Sequence, residues 1–365
     1  MTGKAKRVKV LIVDDSAIAR DMLERGLSRQ SDIEVVGKAS DAYSARDRIV
    51  LLSPDVVTLD IEMPRINGIE FLRRLIPQYP VPVVVVSAVT AEGSRMALEA
   101  LEAGAVDVVA KPGSRDSGDV ESMIENLAEA VREAVVADMR KFIALSGERR
   151  KGIEKRTRVH DDHGVSNGID RRIIAIGAST GGTNALDMII PRFPAEAPGI
   201  VIVQHMPPVF TRMFAQSLDR ASNLEVREAA DGDRVYQGLV LIAPGGLHMT
   251  VHEDAAGWFV RCREGAKVSG HCPSVDVLFS SVAESAGERA TGLILTGMGR
   301  DGADGLLAMR RAGARCFAQD EQSSVVYGMP KEAWENGAAE RKVPVEMASH
   351  VVLAASAPRL KIGSL

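Results

Sequence analysis

Ser179 stands in the stretch Ile-Ile-Ala-Ile-Gly-Ala-Ser-Thr-Gly-Gly, residues 173–182, where an apolar run enters Gly177 and two glycines follow shortly after the serine. With Ala185, Leu186, Met188 and Ile189 at helical spacing beyond it, the stretch reads as strand, tight turn and helix. A hydroxyl at that turn stands at the carboxyl edge of a sheet, beside the amide N–H groups of a helix N-terminus, which can stabilise a developing oxyanion. Gly177, Ser179 and Gly181 fit the G-x-S-x-G spacing of a nucleophilic serine. Such a turn can also cradle a phosphate or let a helix pack closely on a strand. It lacks the Gly-Lys-Ser/Thr ending of a P-loop and the spacing of a dinucleotide fingerprint.

A serine nucleophile needs a base and a group that orients the base. His205 follows the apolar run 199–203 in Gln204-His205-Met206-Pro207, so Ser179 and His205 end the two strands of one βαβ unit. Such strands are parallel and often adjacent, which brings both side chains to one sheet edge. Asp301 closes Leu-Ile-Leu-Thr-Gly-Met-Gly-Arg-Asp, residues 293–301, another apolar strand running into a glycine-rich loop before a helix. Singly, His205 reads as well as a packing histidine, and Asp301 as a helix N-cap. The equivalent placement of all three favours a triad. Its order of Ser179, His205, Asp301 differs from the nucleophile, acid, histidine order of α/β-hydrolases. His248 and His271 are rival bases on loops, read here as pocket or structural residues. Cys272 beside His271 is a further candidate nucleophile, but a small core residue is the commoner use of such a cysteine.

A second group of reactive residues lies nearer the N-terminus. Asp14 and Asp15 follow the apolar run 8–13, Asp60 follows Val-Val-Thr-Leu, Ser87 ends a valine run, and Lys111 precedes Pro112. Three carboxylates together are costly unless neutralised, and a hard divalent cation such as Mg2+ plus one lysine is the natural neutraliser. Strand-end aspartates also cap helices, which accounts for any one of these positions but poorly for all five.

The elements that must hold these residues follow from the apolar pattern. Strands are expected over 8–13, 33–38, 56–59, 81–86 and 106–109, with helices between them, which makes a parallel, doubly wound sheet. Ligands bind such sheets outside the carboxyl ends of the strands. A long amphipathic helix is expected over 121–145, then an aperiodic linker rich in Arg, Lys, Gly and Asp over 147–172. From residue 173 the βα rhythm resumes. Strands over 239–246 and 248–251 are joined by Pro244-Gly245-Gly246, a hairpin partner spans 258–263, and a helix leads from His271 through Leu278 and Phe279.

The 365 residues suit two ordinary domains, and 45% hydrophobic content is a normal globular share. The expected division is 1–125, a helix extension and linker over 126–170, and 171–365. A net charge of -4 does not suggest nucleic acid or an anionic membrane as a partner. The basic run Arg149, Arg150, Lys151, Lys155, Arg156 and Arg158 has no interleaved aromatics and reads as solvated linker. No long uncharged apolar run and no signal-peptide core are seen. Cys262, Cys272 and Cys316 lack metal or disulfide spacing, so a cytoplasmic location is expected.

Residues 8–113 resemble the receiver domain of a bacterial response regulator, through Val-Asp-Asp-Ser (13–16), Leu-Asp-Ile-Glu-Met-Pro (59–64), Asn67-Gly68, Ser87-Ala88 and Lys111-Pro112. The resemblance implies that Asp60 is the phosphoacceptor. It further implies that Asp14, Asp15, Asp60 and the backbone carbonyl of Glu62 hold Mg2+, that Ser87 senses the phosphoryl group and that Lys111 pairs with it. Where that family often has an aromatic switch residue, this chain has Val108.

The second half resembles the catalytic domain of chemotaxis receptor methylesterases, the CheB family. The resemblance rests on Gly-Ala-Ser-Thr-Gly-Gly (177–182), Gln-His-Met-Pro (204–207), Ala-Pro-Gly-Gly-Leu-His (243–248), Pro-Ser-Val-Asp-Val-Leu-Phe (273–279), Thr-Gly-Met-Gly-Arg-Asp-Gly (296–302) and the run 319–330. It implies a flavodoxin-like receiver joined to a Rossmann-like methylesterase domain. Ser179, His205 and Asp301 would be nucleophile, base and acid, Thr180 and Met298 would serve the oxyanion, and the catalytic domain would need no cofactor. The expected activity is phosphorylation-activated removal of methyl groups from glutamates on chemoreceptor helices, with glutamine deamidation as related chemistry. A chemotaxis histidine kinase is the expected phosphodonor, the chain a monomer, and the receiver is expected to sit over the Ser179 edge until phosphorylated. A receiver-controlled serine peptidase, a non-enzymatic signalling module and a DNA-binding regulator are the rival readings. The last finds no basic recognition helix in the second half.

Overall fold

The computed structural model describes residues 7–63, 66–88, 90–112, 117–144 and 171–357. The chain divides into two compact units, Met1–Arg150 and Lys151–Leu365. Most of the expected linker, with its basic run from Arg149 to Arg158, lies outside the described residues.

The first unit alternates strand and helix: β1 (Val8–Val13), α1 (Ala17–Leu27), β2 (Ile33–Ala39), α2 (Ala42–Leu52), β3 (Val56–Asp60), α3 (Gly68–Leu75), β4 (Val83–Ala88), α4 (Ala91–Ala103), β5 (Asp107–Lys111) and α5 (Ser117–Val135). The five strands are all parallel in the order β2-β1-β3-β4-β5. Helices on both faces explain why β3 is buried at every position and reads as an unbroken apolar run. Ser16, Asp41, Asn67 and Thr90 start four of the helices, each side chain accepting a first-turn N–H.

Strand bounds shift from expectation by one or two residues, and two departures have a local cause. β4 begins two residues late: Pro82 has no N–H to give the ladder, although its carbonyl accepts from the Val57 N–H. Ser87, expected at the end of this strand, lies within it and is 2% exposed. The helix expected over 121–145 is interrupted after Val135. Asp138 then accepts from the N–H groups of Arg140 and Lys141 and starts α6, residues 139–144, so the amphipathic pattern continues across a capped break.

The second unit contains β6 (Ile173–Ala178), α7 (Gly182–Ile189), β7 (Gly199–Gln204), α8 (Phe210–Ala221), β8 (Glu225–Glu228), β9 (Arg234–Val235), β10 (Leu239–Ile242), β11 (His248–Asp254), β12 (Gly257–Arg263), α9 (Val275–Ala286), β13 (Ala290–Ile294), α10 (Ala303–Arg311), β14 (Arg315–Gln319), α11 (Met329–Glu335), β15 (Arg341–Val343) and α12 (Val345–Ala355). Seven strands form a parallel sheet ordered β15-β14-β13-β6-β7-β10-β8. The chain builds outward from β6 through β7 to β8 and β10, then returns to its other side with β13. The strand order reverses beside β6, which opens a crevice at the carboxyl ends of β13, β6 and β7. β6 and β7 are buried at every residue, and α9 packs Val275, Leu278, Phe279 and Val282 into the same core.

The strands over 239–246 and 248–251 do not pair as neighbours. β10 belongs to the parallel sheet, whereas β11 pairs antiparallel with β12 in a separate sheet ordered β11-β12-β9. The Pro244-Gly245-Gly246 turn passes the chain from one sheet to the other. β11 and β12 alternate buried and more exposed residues, as expected of a sheet with one face on the core.

Candidate active site

Three adjacent strands end at one place. Ser179 follows β6, His205 follows β7 in register beside it, and Asp301 lies in the loop after β13 on the other flank of β6. The turn after β6 needs its glycines for separate reasons. A Cβ on Gly177 would lie 2.2 Å from Val275 Cγ1, so a side chain there would push α9 off the sheet. Gly181 has φ +77°, a left-handed conformation that L side chains rarely adopt.

The side chains form a continuous relay. Ser179 Oγ and His205 Nδ1 are 3.1 Å apart, and His205 Nε2 lies 2.8 Å from Asp301 Oδ2. The imidazole is turned end for end relative to the usual serine-protease arrangement, in which Nε2 meets the serine. The relay needs the tautomer with Nε2 protonated and Nδ1 free to accept. Asp301 is 1% exposed and is held by the start of α9. Ser274 Oγ donates to its Oδ1 at 2.7 Å, the Val275 N–H to Oδ2 at 2.7 Å, and the Asp276 N–H to Oδ1 at 3.1 Å. Burial alone would raise this carboxyl. The His205 hydrogen bond and charge, with those from Ser274 and Val275, outweigh it and hold the group at about 2. A helix N-terminus aimed at a carboxylate adds to the same effect.

His271 stacks on His205 with ring centroids 3.7 Å apart and planes 11° from parallel. It is presented by a tight turn through Ser269 and Gly270, closed by Val268 and His271 bonding to each other's backbone. Burial, reinforced by the neighbouring His205, pushes its imidazole down to about 3, so its ring stays neutral. His248 is committed elsewhere: its Nε2 lies 2.9 Å from the Ala266 carbonyl, and its Nδ1 accepts from the Ser274 N–H. Burial also raises the Cys272 thiol, which disfavours the thiolate a nucleophile would need.

In the first unit, Asp14, Asp15 and Asp60 converge at the carboxyl ends of β1 and β3, with an oxygen of each within 4.8 Å of the others. Asp14 and Asp60 are buried and Asp15 is exposed. Lys111 Nζ reaches Asp60 at 2.8 Å and Asp14 at 3.1 Å. Burial pushes the Asp60 carboxyl up, and the Lys111 hydrogen bond opposes it. The Glu62 N–H donates to Asp60 at 3.3 Å, which sets that peptide against the carboxylate, while Ser87 Oγ donates to the Gly93 carbonyl at 3.1 Å. An all-oxygen, multiply charged donor set of this kind fits a hard divalent cation.

Comparison with known proteins agrees with both halves. Residues 174–351 match the CheB methylesterase family model, and residues 10–125 match the response regulator receiver domain. The chain is 50% identical to a protein-glutamate methylesterase/protein-glutamine glutaminase of Syntrophotalea carbinolica, over 95% of this chain and 97% of that one. It is 51% identical to a second such protein from Syntrophomonas wolfei, over 94% and 96%. The chain belongs to the CheB methylesterase family. Among solved structures, the Thermotoga maritima CheB methylesterase catalytic domain is 39% identical and covers 50% of this chain and 97% of its own, with a TM-score of 0.49.

Within this CheB-family chain, the structure brings Ser179, His205 and Asp301 into contact and gathers Asp14, Asp15, Asp60 and Lys111 at the other sheet edge. Ser87 is bonded to a backbone carbonyl. Thr180 is 4% exposed in the Ser179 turn, and the Met298 N–H makes no hydrogen bond among the described residues. Val108, at the usual aromatic switch position, is 3% exposed in β5. Sequence reasoning did not single out Ser274, the Asp301 clamp, or Gln204 and Thr296, which bond to the Ser179 turn. Ser274 carried a signal, since a serine just before an apolar-periodic run is an N-cap pattern.

Proposed function

We propose that this chain is a phosphorylation-activated protein-glutamate methylesterase, acting on methylated chemoreceptor helices, that also deamidates receptor glutamines. The observation that carries this reading is the unbroken chain of short contacts from Ser179 Oγ through His205 to Asp301.

His205 Nδ1 takes the Ser179 proton as Oγ attacks the side-chain carbonyl carbon of the glutamyl ester. Asp301, held ionised, stabilises the imidazolium that forms. Backbone N–H groups at Thr180 and Met298 receive the oxyanion. When the C–O bond to the methoxy group breaks, the imidazolium gives its proton to the leaving methanol. Water, deprotonated by His205, then cleaves the glutamyl-enzyme, releasing the glutamate carboxylate and restoring Ser179. An amide substrate follows the same course with ammonia leaving.

Control lies in a receiver domain over 1–125, with 126–170 as helix extension and linker and 171–365 as catalytic domain. Asp60 accepts a phosphoryl group from a histidine kinase, Lys111 pairs with the added charge, and Ser87 leaves the Gly93 carbonyl to meet it. A magnesium ion, held by Asp14, Asp15, Asp60 and the Glu62 carbonyl, would neutralise the incoming phosphate. No part of this scheme calls for a cofactor in the catalytic domain, for nucleic acid or for a second copy, and it operates in the cytoplasm.

The test is methanol release from methylated receptor membranes by the full chain, with and without Mg2+ and a small phosphodonor. Ser179→Ala should lower the rate on the order of 10⁴-fold or more. A Ser179→Ala chain that releases methanol normally would sink the reading. Cleavage of unmethylated peptides by the wild-type chain would favour the peptidase instead.

A further inference from the structure

Two buried side chains grip the Ser179 turn without joining the proton relay. Gln204, the last residue of β7 and 3% exposed, directs Nε2 at the carbonyl of Ser179 at 2.9 Å and at that of His205 at 3.1 Å. Its orientation is fixed by those partners, because an amide oxygen facing two carbonyls would be repelled by both. Thr296, just past β13 and 1% exposed, donates Oγ1 to the Thr180 carbonyl at 2.9 Å and accepts from the Val326 N–H at 2.9 Å. Its carbonyl receives the Ser179 N–H at 3.0 Å, and its own N–H is anchored on Gln319 Oε1 at 2.7 Å.

The two grips fix two successive peptide planes. In a planar trans peptide the carbonyl of one residue and the N–H of the next point in opposite directions. With the Ser179 carbonyl held by Gln204 and the Thr180 carbonyl by Thr296, the Thr180 N–H points away from Gln204 and the next peptide is fixed as well, so Thr180 is locked on both sides. Donors to an oxyanion are effective because they need no reorientation when charge develops, so a peptide plane free to rotate would lose much of its value.

We propose that Thr296 and Gln204 are positioning residues for the esterase reaction, holding the Thr180 N–H toward the developing oxyanion by pinning the peptide planes on either side of Thr180. This rests on the reading of Ser179 as nucleophile. Gln204 bonds the carbonyls of Ser179 and His205 with one nitrogen, so it also fixes the spacing of nucleophile and base.

The experiment measures kcat and KM for methanol release with the full chain bearing Thr296→Val, Thr296→Ser, Gln204→Glu or Ser179→Ala. Thr296→Val keeps the shape but removes the hydroxyl, and should lower kcat on the order of 10- to 100-fold with KM unchanged. Thr296→Ser should restore most of kcat. In Gln204→Glu the carboxyl can donate to one carbonyl while protonated and repels both once ionised. Its rate relative to wild type should therefore fall as pH rises. Wild-type kcat in Thr296→Val, or a serine variant no better than the valine one, overturns the proposal. If Thr296→Val does not fold, a pH-independent ratio for Gln204→Glu overturns it alone. Ser179→Ala separates the two failures: if it is inactive while Thr296→Val is normal, only the positioning role is wrong, and if it is active, the nucleophile reading itself has failed.

Discussion

Asp276 shows how far one residue's surroundings reach. Its Oδ1 accepts the Gly305 N–H at 2.8 Å, its Oδ2 meets Ser269 Oγ at 3.2 Å, and Asp301 is its charged neighbour. Burial, with the Asp301 charge behind it, pushes the carboxyl up from 3.8 to about 6. Between those values the folded chain holds a proton that the unfolded chain has released, so this group makes folding less favourable as pH rises through the window. Asp301, held at about 2, works in the opposite sense, and its contribution is lost only as pH falls below the ordinary carboxylate range. Asp276→Asn can still accept from Gly305 through its amide oxygen but cannot ionise. The variant should therefore gain stability relative to wild type as pH rises from about 4 to 6. Trp258 and Trp334, the chain's two tryptophans, both lie in the second unit, so fluorescence-detected melting reports that unit. Parallel melting curves for the two proteins across this pH range would refute the assignment.

At the scale of elements, the start of α9 combines folding and chemistry. Ser274 accepts the Val277 N–H as N-cap and gives its own proton to Asp301, so one hydroxyl both starts the helix and holds the acid. Ser274→Ala should cost about 1 kcal/mol, read as a melting shift of about 2–4 °C for a unit of this size. It should also lower kcat with little change in KM, because Asp301 loses a donor that stabilises its charge. A Thr substitution should recover both, and a variant that melts early with normal kcat would leave Ser274 a cap only. Much of this arrangement was legible in the sequence. Each strand beneath Ser179, His205 and Asp301 is a buried apolar run ending in a turn, and three such ends in parallel must share an edge. The break at Asp138 was not legible, because apolar spacing continues across it and only the cap geometry reveals it. Nor was the separation of β10 from β11, since which sheet a strand joins depends on partners distant in sequence. The stack of His271 on His205 and the grips of Gln204 and Thr296 arise from loop conformations and long-range packing, which no local pattern encodes.

At the scale of the whole molecule, the two units present the same device twice: a parallel sheet whose strand order reverses, with reactive residues at the carboxyl ends beside the reversal. In the first the cluster is acidic around Lys111, and in the second it is the Ser179 relay. If the first unit restrains the second until Asp60 is phosphorylated, the coupling is a difference in free energy between a restrained and a released chain, and phosphorylation shifts that balance only through contacts it favours in one state. Two measurements then move together. Asp60→Ala should remove the rise in methanol release that a small phosphodonor produces in the full chain. A fragment spanning 171–365, which retains all seven strands of its sheet and its own buried core, should release methanol faster than the unphosphorylated full chain. Phosphodonor should not change the fragment's rate, because Asp60 is absent from it. A fragment no faster than the unphosphorylated chain would mean that the first unit does not restrain the second. Activation would then have to come from contacts that the phosphorylated first unit supplies, and the full chain's phosphorylated rate should exceed the fragment's.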